Sequence, residues 1–212
     1  MNILYVILAI ILGYLIGSIP NGYIIAKLKG VDITRVESGR TGGTNVSRAL
    51  GWKYGLLVGA LDILKGVVAV VLVRAIFGSS PDIDAALAGG FAVIGHNWSV
   101  FLGFRGGAGG ATAAGALLGL NPLAGAIMVP LFILILVVVR YASVATMSIG
   151  LGSFVILALF YALNIGETPP EQMVFGVIAS AAILWALRPN IKRLREGTER
   201  RITFRKKRDA GG

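Results

Sequence analysis

The sequence contains no cysteine, one histidine and only ten acidic residues among 212. Without cysteine, the chain has no disulfide, no thiolate nucleophile and no cysteine metal site. Its loops carry no pair of acidic residues suited to a metal ion, which disfavours a lipid enzyme that transfers phosphoryl groups with a metal. We therefore expect no metal and no other cofactor.

Apolar residues dominate what is present. Hydrophobic residues make up 56% of the chain and charged residues 14%, which is typical of a polytopic membrane protein. The length allows several spans of about 20 residues, so we predict one membrane domain over 1–212. The formal net charge of +10 indicates attraction to an anionic lipid bilayer rather than nucleic-acid binding. We expect a monomer, with the basic run Arg205–Arg208 contacting lipid headgroups.

The apolar runs predict an all-α protein with seven transmembrane helices, one of them short. The predicted spans are about 3–28, 54–77, 85–102, 111–120, 122–139, 142–163 and 172–187, followed by a basic tail, 188–212. The segment 111–139 is too short for two full crossings, yet Arg105 and Arg140 should lie on one face, so a hairpin with a short first leg is predicted. Basic residues cluster on one side of the spans, which predicts an outside N-terminus and a cytoplasmic C-terminus.

The stretch 94–112, IGHNWSVFLGFRGGAGGAT, crowds glycines where an apolar segment should simply end. Glycines leave the backbone free to turn its N–H groups toward one point, which suits an anion, and Arg105 adds a fixed positive charge. The spacing is neither that of a P-loop nor that of a dinucleotide-binding turn. Because the short helix begins here, its N-terminus is expected to point donors at the same anion. A flexible connection between two helices is the alternative.

The polar loop between Lys29 and Lys53 also combines glycine, hydroxyl and amide groups with positive charge. Such a set suits a phosphorylated ligand. In the alternative interpretation, Thr44 or Asn45 caps a helix that starts near Val46, and the arginines only mark the cytoplasmic side.

Asp62 and Lys65 lie three residues apart inside the second predicted span. On one helical face their charges would partly cancel, and we interpret them as a structural pair. A functional role and snorkelling of the side chains toward the basic end are the alternatives.

Three stretches resemble the three motifs of the bacterial acyl phosphate:glycerol 3-phosphate acyltransferases of the inner membrane, the PlsY family. They are DITRVESGRTGGTNVSR at 32–48, GHNWSVFLGFRGGAGGAT at 95–112 and RPNIKRLREGTE at 188–199. The matching residues of the first are Asp32, Ser38, Gly39, Gly42, Thr44, Asn45 and Arg48. Those of the second are Gly95, His96, Phe101, Leu102, Phe104, Gly106, Gly107, Gly109, Ala111 and Thr112. Those of the third are Arg188, Asn190, Ile191, Arg193, Leu194, Gly197 and Glu199.

The resemblance implies transfer of a fatty acyl group from acyl phosphate to glycerol 3-phosphate, which gives lysophosphatidic acid and inorganic phosphate, the first acylation of phospholipid synthesis. It places the protein in the bacterial inner membrane with its active site facing the cytoplasm. The implied catalytic residues are Ser38 and His96. The implied glycerol 3-phosphate ligands are Ser38, Arg48, Asn190 and Arg105. The implied acyl phosphate ligands are Gly42, Gly43, Thr44, Asn45, Gly106, Gly107, Gly109 and Thr112. His96 acts either as a base or by fixing the loop through hydrogen bonds.

The chain departs from the family pattern at polar positions. Glu37 stands where the family has Gly, Arg40 where it has Asn, Ser99 where it has Pro, Arg105 and Ala108 where it has Lys, and Leu187 where it has His. Arg105 or Arg40 is expected to replace the charge missing at Ala108. An acyl phosphate needs no covalent enzyme intermediate, so alignment and charge neutralisation are the main demands. A relative that only binds a phosphorylated lipid, takes another substrate or transports a small anion is the alternative.

Overall fold

In the computed structural model, residues 3–78 and 82–202 are described, and all regular secondary structure among them is helical. This confirms the all-α class. The basic run Arg205–Arg208, predicted to contact lipid, lies outside the described residues.

Ten α-helices lie in the described part of the chain, and the two longest connections, after α2 and after α5, are the first polar loop and the glycine stretch. They are α1 (Ile3–Ser18), α2 (Asn21–Leu28), α3 (Gly43–Leu50), α4 (Trp52–Phe77), α5 (Ile83–Asn97), α6 (Gly110–Leu120), α7 (Pro122–Val138), α8 (Ala142–Ala162), α9 (Gln172–Ala186) and α10 (Arg188–Arg195). Single 3₁₀ turns lie at Ile33–Arg35 and Val100–Leu102.

Among residues 3–78 and 82–202, three helical stretches are long and apolar enough to cross a membrane: Ile3–Leu28, which comprises α1 and α2, then α4 and α8. The pair α9 and α10, bent by 63°, makes a fourth if it is counted as one span. Helices α6 and α7 are apolar but shorter. Helix α5 stops at Asn97, so the predicted span to residue 102 is wrong at its end. The chain leaves the helix there because Ser99–Arg105 close a small loop by a β-bridge.

Small residues allow the helices to approach closely. A Cβ at Gly13 or Gly17 of α1 would overlap the main chain of Ala88 or Ala92 in α5, and the four-residue spacing of this pair permits the two helices to approach closely. Helix α6 packs on α4 in the same way, and nearly all of its residues are buried. The N-terminus of this short helix is therefore held inside the bundle.

The end of the bundle away from α6's N-terminus is closed by polar side chains. Arg74 forms an ion pair with Asp82, with 2.7 Å between Nη2 and Oδ2. The Asn121 side chain caps α7 by accepting from Ala124 N at 3.0 Å, and it donates to Gln172 Oε1 at 3.0 Å.

Candidate active site

The first polar loop is folded around the side chain of Asn45, which is 3% exposed. Its Nδ2 donates to the carbonyls of Val36 at 3.0 Å and Arg40 at 2.8 Å, while its Oδ1 accepts from Ser38 N at 3.4 Å. These bonds hold residues 36–40 in a turn, and the Ser38 side chain lies exposed on its surface. Asn45 thus stabilises the conformation of the loop. Its direct contact with an acyl phosphate stays a prediction.

Helix α3 begins at Gly43, with Gly42 at the N-cap and no side-chain cap. The alternative interpretation, in which Thr44 or Asn45 caps a helix that starts near Val46, is therefore wrong. Gly43 lies against α4, where an added Cβ would come 2.6 Å from Gly55 O, so glycine is required at the first residue of α3. Gly42 has open space around it.

The glycine stretch is a closely packed loop rather than a flexible connection. Gly103 adopts the left-handed conformation, with φ of 59°, which reverses the chain after the 3₁₀ turn. Gly107 N donates to His96 O at 2.9 Å. A Cβ at Gly106 would overlap His96 O, and one at Gly107 would overlap His96 Nε2. Only glycine permits the loop to lie this close to the end of α5.

Two buried polar atoms at the end of the glycine stretch lack partners within the described chain. They are Asn97 Oδ1 and Thr112 Oγ1. Gly109 has φ of 84°, and a Cβ there would come 2.8 Å from Asn97 Oδ1. Thr112 belongs to the first turn of α6, where backbone N–H groups have no partner inside the helix. This turn offers donors and a positive dipole end to an anion.

A buried ionic cluster lies beneath the glycine stretch. Lys65 Nζ is 3.1 Å from Asp62 Oδ1, which confirms the predicted pair. Lys65 is only 6% exposed and donates to Ile19 O at 2.8 Å, so the snorkelling alternative is wrong. His96 Nδ1 lies 3.6 Å from the same Asp62 Oδ1.

Glu199 organises the third polar segment. Its carboxylate accepts from Asn190 Nδ2 at 2.7 Å, Arg193 Nε at 2.9 Å and Ser143 Oγ at 2.9 Å. Burial alone would raise the pKa of the Glu199 carboxyl, but these hydrogen bonds and the Arg193 charge lower it. Glu199 is therefore ionised and holds Asn190 and Arg193 in place.

Two hydrogen bonds bring the three polar segments to one end of the bundle. Thr41 N donates to Gly106 O at 3.4 Å, which joins the first loop to the glycine stretch. Arg40 Nη2 donates to Ala186 O at 2.6 Å, which joins the same loop to the junction of α9 and α10. Glu37 adds an ion pair with Arg200. The sequence-predicted residues of all three segments therefore share one region.

The predicted site residues differ in exposure, and some, such as Thr44 and Asn190, are partly buried. The side chains of Ser38, Arg48 and Arg105 are exposed, whereas His96 and Thr112 are buried. Sequence reasoning missed Ser143 and Asn97, because nothing in their local sequence distinguishes them from other polar residues near helix ends. Among residues 3–78 and 82–202, no group of three or more histidine or acidic side chains could hold a metal ion.

The fold and the site define an all-helical integral membrane protein with a cationic, glycine-rich polar site at one end of its helices. The family model for glycerol-3-phosphate acyltransferase matches residues 7–197. The chain is 44% identical to a glycerol-3-phosphate acyltransferase of Chlorobium phaeobacteroides, over 95% of this chain and 97% of that protein. It is 43% identical to the glycerol-3-phosphate acyltransferase of Thermus thermophilus, over 91% of this chain and 93% of that protein.

A crystal structure of PlsY, an integral membrane glycerol 3-phosphate acyltransferase in its glycerol 3-phosphate form, is similar, with a TM-score of 0.83 and 36% identity. The similarity covers 93% of this chain and 96% of that one. The chain belongs to the glycerol-3-phosphate acyltransferase family, and the resemblance drawn from the three motifs is confirmed.

Proposed function

We propose that the protein transfers a fatty acyl group from acyl phosphate to glycerol 3-phosphate, with lysophosphatidic acid and inorganic phosphate as products. The main support for this proposal is that the three polar segments meet, joined by the Thr41–Gly106 and Arg40–Ala186 hydrogen bonds. Two phosphorylated reactants need two sets of donors within one region, and this end of the molecule supplies them.

The reaction needs no covalent enzyme intermediate. A hydroxyl oxygen of glycerol 3-phosphate attacks the acyl carbonyl, the bond to the bridging phosphate oxygen breaks, and the departing phosphate accepts the hydroxyl proton. His96 is 6% exposed and its ring lies against Gly107, so we assign it to holding the glycine stretch, the second of its two predicted roles. Ser38 is then the exposed hydroxyl that orients the acceptor.

The glycine stretch and the first turn of α6 form the proposed subsite for the donor phosphate. The unpartnered Thr112 Oγ1 and the main-chain N–H groups around Gly109 point to this use. The acceptor, glycerol 3-phosphate, is assigned to Ser38, Arg48 and Asn190. Asn190 Oδ1 is buried without a partner among the described residues and can only accept, so it fits a hydroxyl of the acceptor and not its phosphate.

Arg40 is the better replacement for the missing lysine charge at Ala108. Its guanidinium is half-buried and makes no ion pair with a described carboxylate, whereas the Arg105 side chain is exposed. Burial lowers the pKa of Arg40, Arg193 lowers it further, and Glu199 opposes both. A partly buried cation beside a second cation is poised to bind an anion.

Arg40→Gln is expected to raise the KM for glycerol 3-phosphate about tenfold or more, since it removes a charge-assisted contact with phosphate. Glutamine is shorter than arginine and would lose the hydrogen bond of Nη2 to Ala186 O, so the thermal midpoint is measured beside the KM to separate loss of the bridge from loss of the charge. Arg40→Lys retains the charge but not the planar guanidinium, so its KM should lie between those of the wild type and Arg40→Gln. Steady-state kinetics of both variants beside Arg105→Gln provide the check. A larger effect at Arg105 than at Arg40 would contradict the assignment.

An apolar groove between α5 and α9 fits the acyl chain of the donor. It has a volume of about 420 Å³ and is lined by Ile94, Trp98, Val177, Ile178, Ala181, Ala182 and Trp185. The groove reaches the glycine stretch near Ala182. There Asn97 Nδ2 donates to Ala182 O at 3.2 Å, and the same Asn97 side chain contacts the turn at Gly109. An acyl chain in this groove would lead its phosphate to the glycine stretch.

Ala181→Trp should fill this groove and raise the KM for palmitoyl phosphate about tenfold, while a short-chain acyl phosphate is affected much less. Ala181 is exposed, so the larger side chain does not disturb the core. The matched control is Ala60→Trp, at an exposed position of α4. Equal effects on long and short donors would place the acyl chain elsewhere.

We further propose seven crossings of the bacterial inner membrane, with the N-terminus outside and the site facing the cytoplasm. The asymmetry of basic residues supports this orientation. Because the chain has no cysteine, single substitutions are clean probes. In intact spheroplasts an impermeant thiol reagent should label Pro170→Cys, and it should label Lys192→Cys only after lysis. The reverse pattern would overturn the orientation.

The donor is tested by mass spectrometry of products. Purified protein with glycerol 3-phosphate should form lysophosphatidic acid from palmitoyl phosphate and not from palmitoyl-coenzyme A. Product from the thioester alone would refute the donor and leave the family's acceptor in place. No product from either, with folded protein, would favour a binding or altered-substrate relative.

A further inference from the structure

The ionic cluster beneath the glycine stretch has no role in the proposed reaction so far. Asp62 and Lys65 belong to α4, and His96 belongs to the last turn of α5. They are 2%, 6% and 6% exposed. Charged side chains within apolar helices are costly, so their retention calls for a physical reason.

Mutual neutralisation accounts for only part of the arrangement. Lys65 Nζ lies 3.1 Å from Asp62 Oδ1, and Asn21 Nδ2 donates to the same oxygen at 3.1 Å. A carboxylate with a lysine and an amide is already compensated. The third group around this oxygen is His96, whose Nδ1 lies 3.6 Å away.

The opposite edge of the His96 ring faces the glycine stretch. Its Nε2 lies so close to Gly107 that no Cβ could fit, and its main-chain O accepts from Gly107 N at 2.9 Å. Gly106 lies equally close to the same carbonyl. A rotation or shift of the ring would therefore move the main chain that carries the proposed donor-phosphate subsite.

Lys65 extends the same cluster to the first span. It donates to Ile19 O at 2.8 Å, at the break between α1 and α2. Pro20 follows this residue, so Pro20 lacks the N–H that would continue the helical pattern there. The lysine thus fixes the broken helix against α4 and holds the Asp62 side chain in place.

We propose that Asp62, with Lys65 as its counter-charge, is a positioning residue that orients His96 and through it sets the Gly106–Gly107 main chain for the donor phosphate. The inference rests on the proposed function. It assigns Asp62 to donor binding by an indirect path, in contrast to an ion pair that only offsets charge inside the membrane.

Binding of palmitoyl phosphonate, a donor analogue that cannot transfer its acyl group, is the main readout. Asp62→Asn should raise the Kd for this analogue about tenfold, an effect of the size expected for residues that are coupled through contact. In the charge-balanced variant Asp62→Asn with Lys65→Met, the thermal midpoint should return toward that of the wild type while the weak binding persists. If Asp62→Asn alone does not fold, the balanced variant carries the comparison.

The path through His96 is tested by a double-mutant cycle. In a His96→Leu background, which removes the ring nitrogens, Asp62→Asn should weaken phosphonate binding no further. Wild-type affinity in the balanced variant, or an undiminished effect of Asp62→Asn beside His96→Leu, would overturn the inference alone. A wild-type protein that neither binds the phosphonate nor transfers an acyl group would refute the proposed function and the inference together.

Discussion

Gly107→Ala is expected to reduce acyl transfer about a hundredfold, because a shift of the donor by about 1 Å has an effect of this size. The new Cβ would overlap His96 Nε2. The ring cannot move aside freely, since it is buried and lies between Gly107 and Asp62. The loop must move instead, which costs about 1–3 kcal/mol of stability as in other overpacked sites.

Rates with palmitoyl phosphate and the thermal midpoint should be measured for the same preparation. The matched control is Gly59→Ala on α4, where an added Cβ meets nothing within 4 Å. There the change should leave activity intact and slightly favour the helix. Full activity of Gly107→Ala would mean that the glycine stretch does not hold the donor, and the proposed subsite would then be wrong.

Ser38→Ala should lower kcat about a hundredfold or more, as expected for removal of one polar group that acts on the reacting centre. The turn itself should persist, because Asn45 Oδ1 accepts from the main-chain N–H of Ser38 and Asn45 Nδ2 donates to Val36 O and Arg40 O. The only bond of the turn that the change removes is the long one, 3.4 Å, from Arg40 N to Ser38 Oγ. The thermal midpoint should therefore stay close to that of the wild type. This combination separates a chemical role from a structural one.

The control for Ser38→Ala is Ser148→Ala, which removes a hydroxyl bonded within its own helix to Val144 O. Its activity should match that of the wild type. A Ser38→Ala enzyme with normal kcat would remove this residue from the proposed catalytic machinery and shift the orienting role to the Asn190 region.

Much of the helical framework follows from local sequence. Long apolar runs predict α4 and α8, and Asn121 followed by Pro122 predicts the break between α6 and α7, because asparagine caps and proline starts a helix. The spacing of Gly13 and Gly17 predicts a close approach of another helix, although it does not identify α5 as that helix. These features depend on neighbours in the chain, so a single sequence carries them.

The arrangement of the site depends on contacts that a single sequence does not carry. Arg40 bonds to Ala186, which lies 146 residues away in the sequence. From the sequence alone, Arg40 is an arginine in a loop with no indicated partner. Asp62 and Lys65 could be paired by their spacing, but the third member, His96, comes from another helix. The end of α5 was misplaced for the same reason, since packing of the glycine loop decides it.

The most direct test of acyl transfer is the release of inorganic phosphate from palmitoyl phosphate by purified protein, with and without glycerol 3-phosphate. The proposed function predicts release that requires the acceptor, equals lysophosphatidic acid mole for mole, and disappears in Ser38→Ala. Such a result would also show that Ala108 and Leu187 are tolerated departures from the family pattern. Acceptor-independent release, or none from folded protein with acyl phosphates of several lengths, would contradict the proposed reaction.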